Sequence, residues 1–197
     1  INKDNFSTLM TDKNLVLSGK SLLDFQIKNP ILIGEWILEN LDQNKIDNIE
    51  CQYFNSKSHS KKNRVDAFKI AETIHESIKL DLIKELNKLH SVNFSNRSWQ
   101  IIFGYWLIHF IGVCVERYQR INEVLENENI KNIYLKKCDN FKFYSKDTFG
   151  LNLNSIDEDW ENNLYLKIIN FLNIDKNLLF SESKQVGNEI TINQFYK

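Results

Sequence analysis

The sequence predicts an α/β fold with short parallel strands and long buried helices. Short apolar runs end at glycines and pass straight into helical patterns, as in "NPILIGEWIL" (29–38). Two long segments repeat apolar residues every three or four positions. One proline and six glycines are the main breakers in 197 residues, so long helices meet few of them. Apolar residues at 42% and charged residues at 26% are ordinary for a soluble globular domain.

The elements follow in order. "NLVLSG" (14–19) reads as a strand ending at Gly19. Pro30 can open a strand but not sit inside a central one. Ile31, Leu32 and Ile33 then form the unbroken apolar run of a strand buried on both faces. Gly34 permits a tight turn, and Trp36 to Leu41 start a helix. "IECQYF" (49–54) alternates like a third strand. From Val65 to His90, Ile70, Ile74, Ile78, Leu82, Leu86 and Leu89 recur at helical spacing, which predicts an amphipathic helix of about seven turns.

"SNRSWQIIFGYWLIHFIGVCVERYQR" (95–120) comes next. A bilayer core needs about 20 mostly apolar residues, and the run Ile101–Val115 is shorter and contains His109. Trp99, Phe103, Trp106, Phe110, Cys114 and Tyr118 share one helical stripe, which Ile102, Leu107 and Ile111 widen. A helix apolar on most sides is expected at the centre of a soluble body, ahead of a membrane span. Ser95 or Asn96 can cap its start, and Gly104 and Gly112 are expected to admit a second backbone. "KNIYLKK" (131–137), "FKFYS" (141–145) and "EITINQFY" (189–196) read as further strands. "SIDEDWENNLYLKIINFL" (155–172) reads as a helix with Asp157, Glu158 and Asp159 at its favourable end. Trp160, Leu164, Ile168, Ile169 and Leu172 form its inward face.

Charge and motifs narrow the chemistry. A formal net charge of -1 argues against a nucleic-acid partner, which would need a basic face. Cys51, Cys114 and Cys138 form no CxxC pair, so free thiols in a reducing, cytoplasmic compartment are expected. The four histidines have no ligand spacing with the cysteines, and no P-loop, GxGxxG, GxSxG or HExxH pattern occurs, so no metal or cofactor is expected. Ligands on open α/β sheets sit beyond the C-terminal strand ends, which directs attention to Gly34, Glu35 and Trp36. Glu35 is the candidate catalytic base there, against the simpler role of a first-turn carboxylate on a helix dipole. His59 and Arg64, with Lys61 and Lys62, form either an anion-binding loop or a solvated one. Arg97 stands at a helix entry, where its planar fork can grip a phosphate or carboxylate.

Two of these stretches, "NPILIGEWIL" and "LNKLHSVNFSNRSWQIIFGYWLIHFIGVCVERYQRI", resemble the N-terminal half of transferases from bacterial surface-carbohydrate (O-antigen type) gene clusters. The matching positions are Gly34, Glu35, Trp36, Leu86, Asn87, His90, Asn93, Ser95, Arg97, Trp99, Gly104, Trp106 and Arg117. Asp159, Trp160, Asn163, Leu164 and Tyr165 match a later helix of that family. Ser91, Phe94, Gln100, Tyr105 and Tyr118 depart from its pattern. The resemblance implies a helix-rich, Rossmann-like (GT-B-like) N-terminal domain on the acceptor side of a glycosyltransferase. Residues 1–197 would then be one domain of a longer protein whose missing C-terminal domain binds the donor. Its partners would be a nucleotide-sugar donor and a glycan acceptor, with peripheral association at the inner membrane face. The alternative is a non-catalytic helical scaffold or partner-binding module of a polysaccharide assembly complex.

Overall fold

The computed structural model describes residues 12–39, 41–46, 49–57, 60–137, 145 and 147–181. Five strands form one all-parallel sheet: β1 (Lys13–Val16), β2 (Pro30–Leu32), β3 (Gln52–Tyr53), β4 (Ile130–Lys136) and β5 (Asn177–Ser181), in the order β3-β2-β1-β4-β5. Leu15, Val16, Leu32, Ile133 and Leu135 are wholly buried, as the uninterrupted apolar runs of central parallel strands require. The sense of the strand order reverses between β1 and β4.

Helices cover both faces. α1 (Gly19–Phe25) starts at Ser18, whose side chain accepts from the Ser21 N–H. Phe25 of α1 meets Tyr134 of β4 edge to face, with ring centroids 5.2 Å apart. Alternation along a strand turns Ile133 and Leu135 to the opposite side. α2 (Trp36–Glu39) and α3 (Gln43–Ile46) are single turns between β2 and β3. α7 (Thr148–Asn154) and α8 (Glu158–Phe171) precede β5. Asp157 caps α8 by accepting from the Trp160 N–H at 2.9 Å, and Trp160, Leu164, Ile168 and Ile169 are buried as expected.

The long helices differ from expectation. α4 (Lys61–His90) pairs with a second rod made of α5 (Asn96–Trp99), a π-helical segment Gln100–Gly104 and α6 (Tyr105–Asn127). Ser95 caps the rod, as predicted. Central burial does not hold, however. The rod is the one helix among the described residues with the length and apolar content to cross a membrane, yet only 22% of its most apolar stretch is buried. The reason is length. Its 32 residues extend about 48 Å at about 1.5 Å per residue, whereas the seven-residue β4 extends about 23 Å at about 3.3 Å per residue. The sheet can cover only one end.

The expected single stripe also divides in two. Trp106, Phe110, Val113 and Cys114 pack on the sheet core, while Phe103, Leu107, Ile111 and Val115 pack towards Ala71 and Leu82 of α4. Ile70, Ile74 and Ile78 are exposed because α4 has α6 as its main partner and, among the described residues, no further layer outside it. Gly104 and Gly112 admit no second backbone: the nearest atom to a Cβ on Gly104 is the Gln100 Cβ, and none lies within 4 Å of one on Gly112. Gly19 starts α1 instead of ending a strand, and a Cβ there would lie 2.4 Å from the Ile37 carbonyl oxygen. "FKFYS", apart from Ser145, and "EITINQFY" lie outside the described residues.

Burial also sets the chemistry of Cys114, whose thiol is pushed up to about 11. At pH 8 about one molecule in a thousand then carries the thiolate that alkylates. Iodoacetamide labelling followed by peptide mass spectrometry is expected to leave Cys114 largely unmodified until denaturant is added. Labelling at the rate of an unhindered thiol would contradict its burial.

Candidate functional site

Beyond the C-terminal ends of β1 and β2 lies a cavity of about 550 Å³. Its apolar wall is Leu17, Ile37, Leu41 and Ile156, and its functional groups are Lys20, Trp36, Glu39, Arg117, Arg120, Glu158 and Glu161. Such a volume suits a small ligand with a few convergent polar groups.

Each group is positioned by its element. β2 ends in a turn at Gly34, and the Trp36 ring folds back over it so closely that a Cβ on Gly34 would lie 1.8 Å from a ring carbon. Glycine is needed there for close approach, since its φ is not positive. The Trp36 Nε1–H donates to Glu161 Oε2 at 3.0 Å, and the Arg120 guanidinium carbon lies 4.5 Å from the Trp36 ring centroid. A cation over an indole face is favourable, the more so when desolvated. Arg117 pairs with Glu161 at 2.5 Å and also with Glu116, which pairs in turn with Arg120. Arg117 also donates to the Ser155 carbonyl at 3.3 Å.

On the other wall, Glu158 Oε1 accepts from Ser18 Oγ at 2.7 Å and from the Lys20 N–H at 3.4 Å. Asn162, itself buried, ties α8 to the strand ends. Its Oδ1 accepts from the Lys136 N–H at 3.1 Å, and its Nδ2 donates to the Leu17 carbonyl at 3.3 Å.

Burial governs the charges. Desolvation lifts the Glu161 carboxyl above the usual carboxylate range, and Arg117, Trp36 and Arg120 pull it only partly back. Desolvation works against the Arg117 cation, but its anionic surroundings, Glu161 and Glu116 among them, outweigh that and raise its pKa. Tyr165 is raised first by burial and then by the Glu161 charge. Among the described residues, Arg117 Nε, Arg120 Nε and the Tyr165 hydroxyl are buried without a hydrogen-bond partner. Two guanidiniums and two carboxylates, Glu116 and Glu161, thus nearly balance, leaving a polar but electrically mixed wall.

Of the site residues expected from the sequence, Trp36 lines this cavity, and Gly34 lies against its ring without lining it. Glu35 sits exposed on the same turn, near enough to Tyr53 for its charge to add to the burial and the Cys51 hydrogen bond that raise that phenol. Arg64 is exposed in the first turn of α4 and Arg97 is exposed on α5; neither lines the cavity. His59 lies outside the described residues. No group of three or more His, Cys, Asp or Glu side chains that could hold a metal occurs among the described residues. Sequence reasoning missed Lys20, Arg120, Glu158 and Glu161 as site residues. A signal for two of the site's cations existed: Arg117 and Arg120 continue the inward stripe Trp106, Phe110, Val113, where a charge needs a partner.

The stretch around the hairpin turn has a different role. Asn87 Oδ1 accepts from the Phe94 N–H at 3.0 Å and from the Trp99 Nε1–H at 2.8 Å, while its Nδ2 donates to the Phe94 carbonyl at 3.1 Å. Trp99 is in turn flanked by His90, Phe94 and Phe103. Asn87→Ala is expected to cost about 1–2 kcal/mol, since each net hydrogen bond contributes roughly 0.5–1.5 kcal/mol. Urea unfolding would measure this, and an unchanged midpoint would mean the turn holds without its latch.

No curated protein and no solved structure matches this chain. The family model described as LIC12162 family transferase matches residues 13–196, which takes in the sheet, the cavity and the helical hairpin together. The chain belongs to the LIC12162 family of transferases.

Proposed function

We propose that this transferase moves a sugar from a nucleotide-linked donor to a glycan acceptor during bacterial surface polysaccharide synthesis, and that the cavity holds the acceptor sugar. The observation that carries the reading is the lining itself: an indole face, two guanidiniums and several carboxylates converge beyond the strand ends. Neutral hydroxyls can accept from the arginines and donate to the carboxylates without upsetting the near balance of charge, whereas a phosphate would meet Glu158 and Glu161. The strand order β3-β2-β1-β4-β5 is also that of the first five strands of dinucleotide-binding doubly wound sheets, and supports a Rossmann-like half. The donor-binding half belongs, in this reading, to a further C-terminal domain.

The chemistry balances as follows. An acceptor hydroxyl oxygen attacks the anomeric carbon, forming the new C–O bond. The bond from that carbon to the nucleotide phosphate breaks and the phosphate leaves with its electron pair. The hydroxyl proton passes to a carboxylate. Glu158 is favoured over Glu35 for that role because it lines the cavity and is held by Ser18 and the Lys20 N–H. Holding the hydroxyl in line supplies much of the rate, and a positioned base contributes about 10²–10⁴-fold.

In full-length protein, Glu158→Gln is expected to lower kcat at least about 100-fold with an unchanged melting temperature, while Glu35→Gln keeps most of the turnover. The opposite pattern would return the base to Glu35. Thermal-shift titration with CMP-, UDP- and GDP-linked sugars would identify the donor by which one stabilises the protein. Stabilisation by none of them, together with no sugar transfer, would remove the glycosyl reading.

A further inference from the structure

We propose that the free end of the α4–α6 hairpin is a docking element for an anionic lipid bilayer surface. Bulky apolar side chains gather there in the open: Leu89 is 76% exposed, Ile101 77%, Tyr105 74%, Ile102 59% and Phe94 46%. Soluble monomers rarely display such clusters without a binding role. The exposure is built in rather than frayed, because Asn87 ties the turn to Trp99, and Trp99 is buried beside them.

Charge selects the occupant. From Leu86 to Val115 the chain carries no acidic residue, although 26 occur in the whole sequence. Lys88, His90 and Arg97 stand exposed around the apolar side chains, Lys88 lying 4.0 Å from the Glu85 carboxylate one turn earlier and Arg97 facing no acidic residue of that stretch. A cationic rim around an apolar tip complements anionic headgroups above acyl chains. A second copy would offer the same cationic tip and no acidic surface of that stretch to meet it, which favours anionic lipid over a second copy. An exposed tyrosine at the rim, Tyr105, also suits the headgroup level.

Length excludes a span. Beyond Tyr105 the helix enters the protein core through Trp106, Leu107 and Phe110. The free stretch 96–105 extends about 15 Å at about 1.5 Å per residue, half of the roughly 30 Å hydrocarbon core. It is ample for the roughly 5–10 Å by which interfacial helices enter the boundary. This inference is independent of the sugar reading, since no residue of the cavity takes part.

The test is flotation of full-length protein with vesicles of pure phosphatidylcholine and with vesicles containing about 30% phosphatidylglycerol. The protein is expected to float with the anionic vesicles only, and less as salt is raised. Ile101→Ser/Ile102→Ser/Tyr105→Ser should reduce the floated fraction at least about tenfold with unchanged circular dichroism and melting, because these side chains are exposed. Lys88→Glu/Arg97→Glu should abolish the preference for anionic lipid. Failure of the wild type to float with either vesicle would overturn the proposal, as would equal flotation of the triple serine variant. Concentration-dependent dimerisation that the serine variant loses, without vesicle binding, would assign the surface to a second copy instead.

Discussion

Arg117→Met is expected to lower stability by about 3–5 kcal/mol, the usual cost of removing one partner from a buried ion cluster. Methionine keeps much of the volume, so the loss is electrostatic. Glu161 is left almost fully buried against Trp36, with Arg120 pairing with Glu116 rather than with it. Melting should fall by on the order of 10 °C.

The pH dependence has a definite sign. Burial already raises the Glu161 carboxyl, and Arg117 is the largest influence lowering it, so the variant raises it further. A carboxyl with a raised folded value stabilises below its unfolded value near about 4.3 and loses that contribution as pH rises through the folded value. The deficit of Arg117→Met should therefore widen between pH 4 and pH 8. A deficit that is flat with pH would mean that Glu161 finds another cation. The double variant Arg117→Met/Glu161→Leu should recover part of the loss, because replacing both ions leaves no charge stranded.

Gly34→Val is expected to cost about 3 kcal/mol, at the upper end of overpacking. The reason is local: even a single Cβ would fall inside the Trp36 ring, 1.8 Å from one carbon and 2.0 Å from the next. Rings do not compress, so either the turn shifts or the indole leaves the cavity. Losing the indole removes the hydrogen bond to Glu161 and the stack beneath Arg120 at once. Turnover should drop with stability, and a Trp36→Ala/Gly34→Val double variant should be little worse than Trp36→Ala alone. If Gly34→Val is as costly without the ring as with it, the glycine is needed for the backbone instead.

Much of the fold was legible because central strands leave a plain trace. Ile31 to Ile33 and Leu15 to Leu17 are apolar without interruption, as burial on both faces demands. β5 was harder to see: at this sheet edge Leu178 and Leu179 are only half-buried, Phe180 is exposed, and polar residues flank them. The cap of the rod was readable from residue type down to Ser95 or Asn96, whereas Asp157 was read as one of three dipole-stabilising carboxylates and proves to be the cap of α8. The rod around Trp106 misled because periodicity reports which sides are apolar and says nothing of what meets each side. One side found the sheet, another found α4, and at the start of the rod Trp99 met α4 while Ile101, Ile102 and Tyr105 met neither. The place of Trp36 at the cavity was legible because strand-end position is a local property. Glu161 was not, since its meaning comes from pairing with Arg117 between α6 and α8, which no spacing in the chain encodes, whereas Arg120 left a local trace in Glu116 four residues before it.

Uneven cover along α6 divides a continuous hydrogen-bonded ladder into two thermodynamic halves. Amides near Ile121 and Val124, shut inside the body, can exchange with solvent only when the whole domain opens. Those near Tyr105 need only a local breathing of the rod, stiffened by the Asn87 latch. A single helix thereby joins a fixed end carrying the arginines to an end soft enough to adjust its pose.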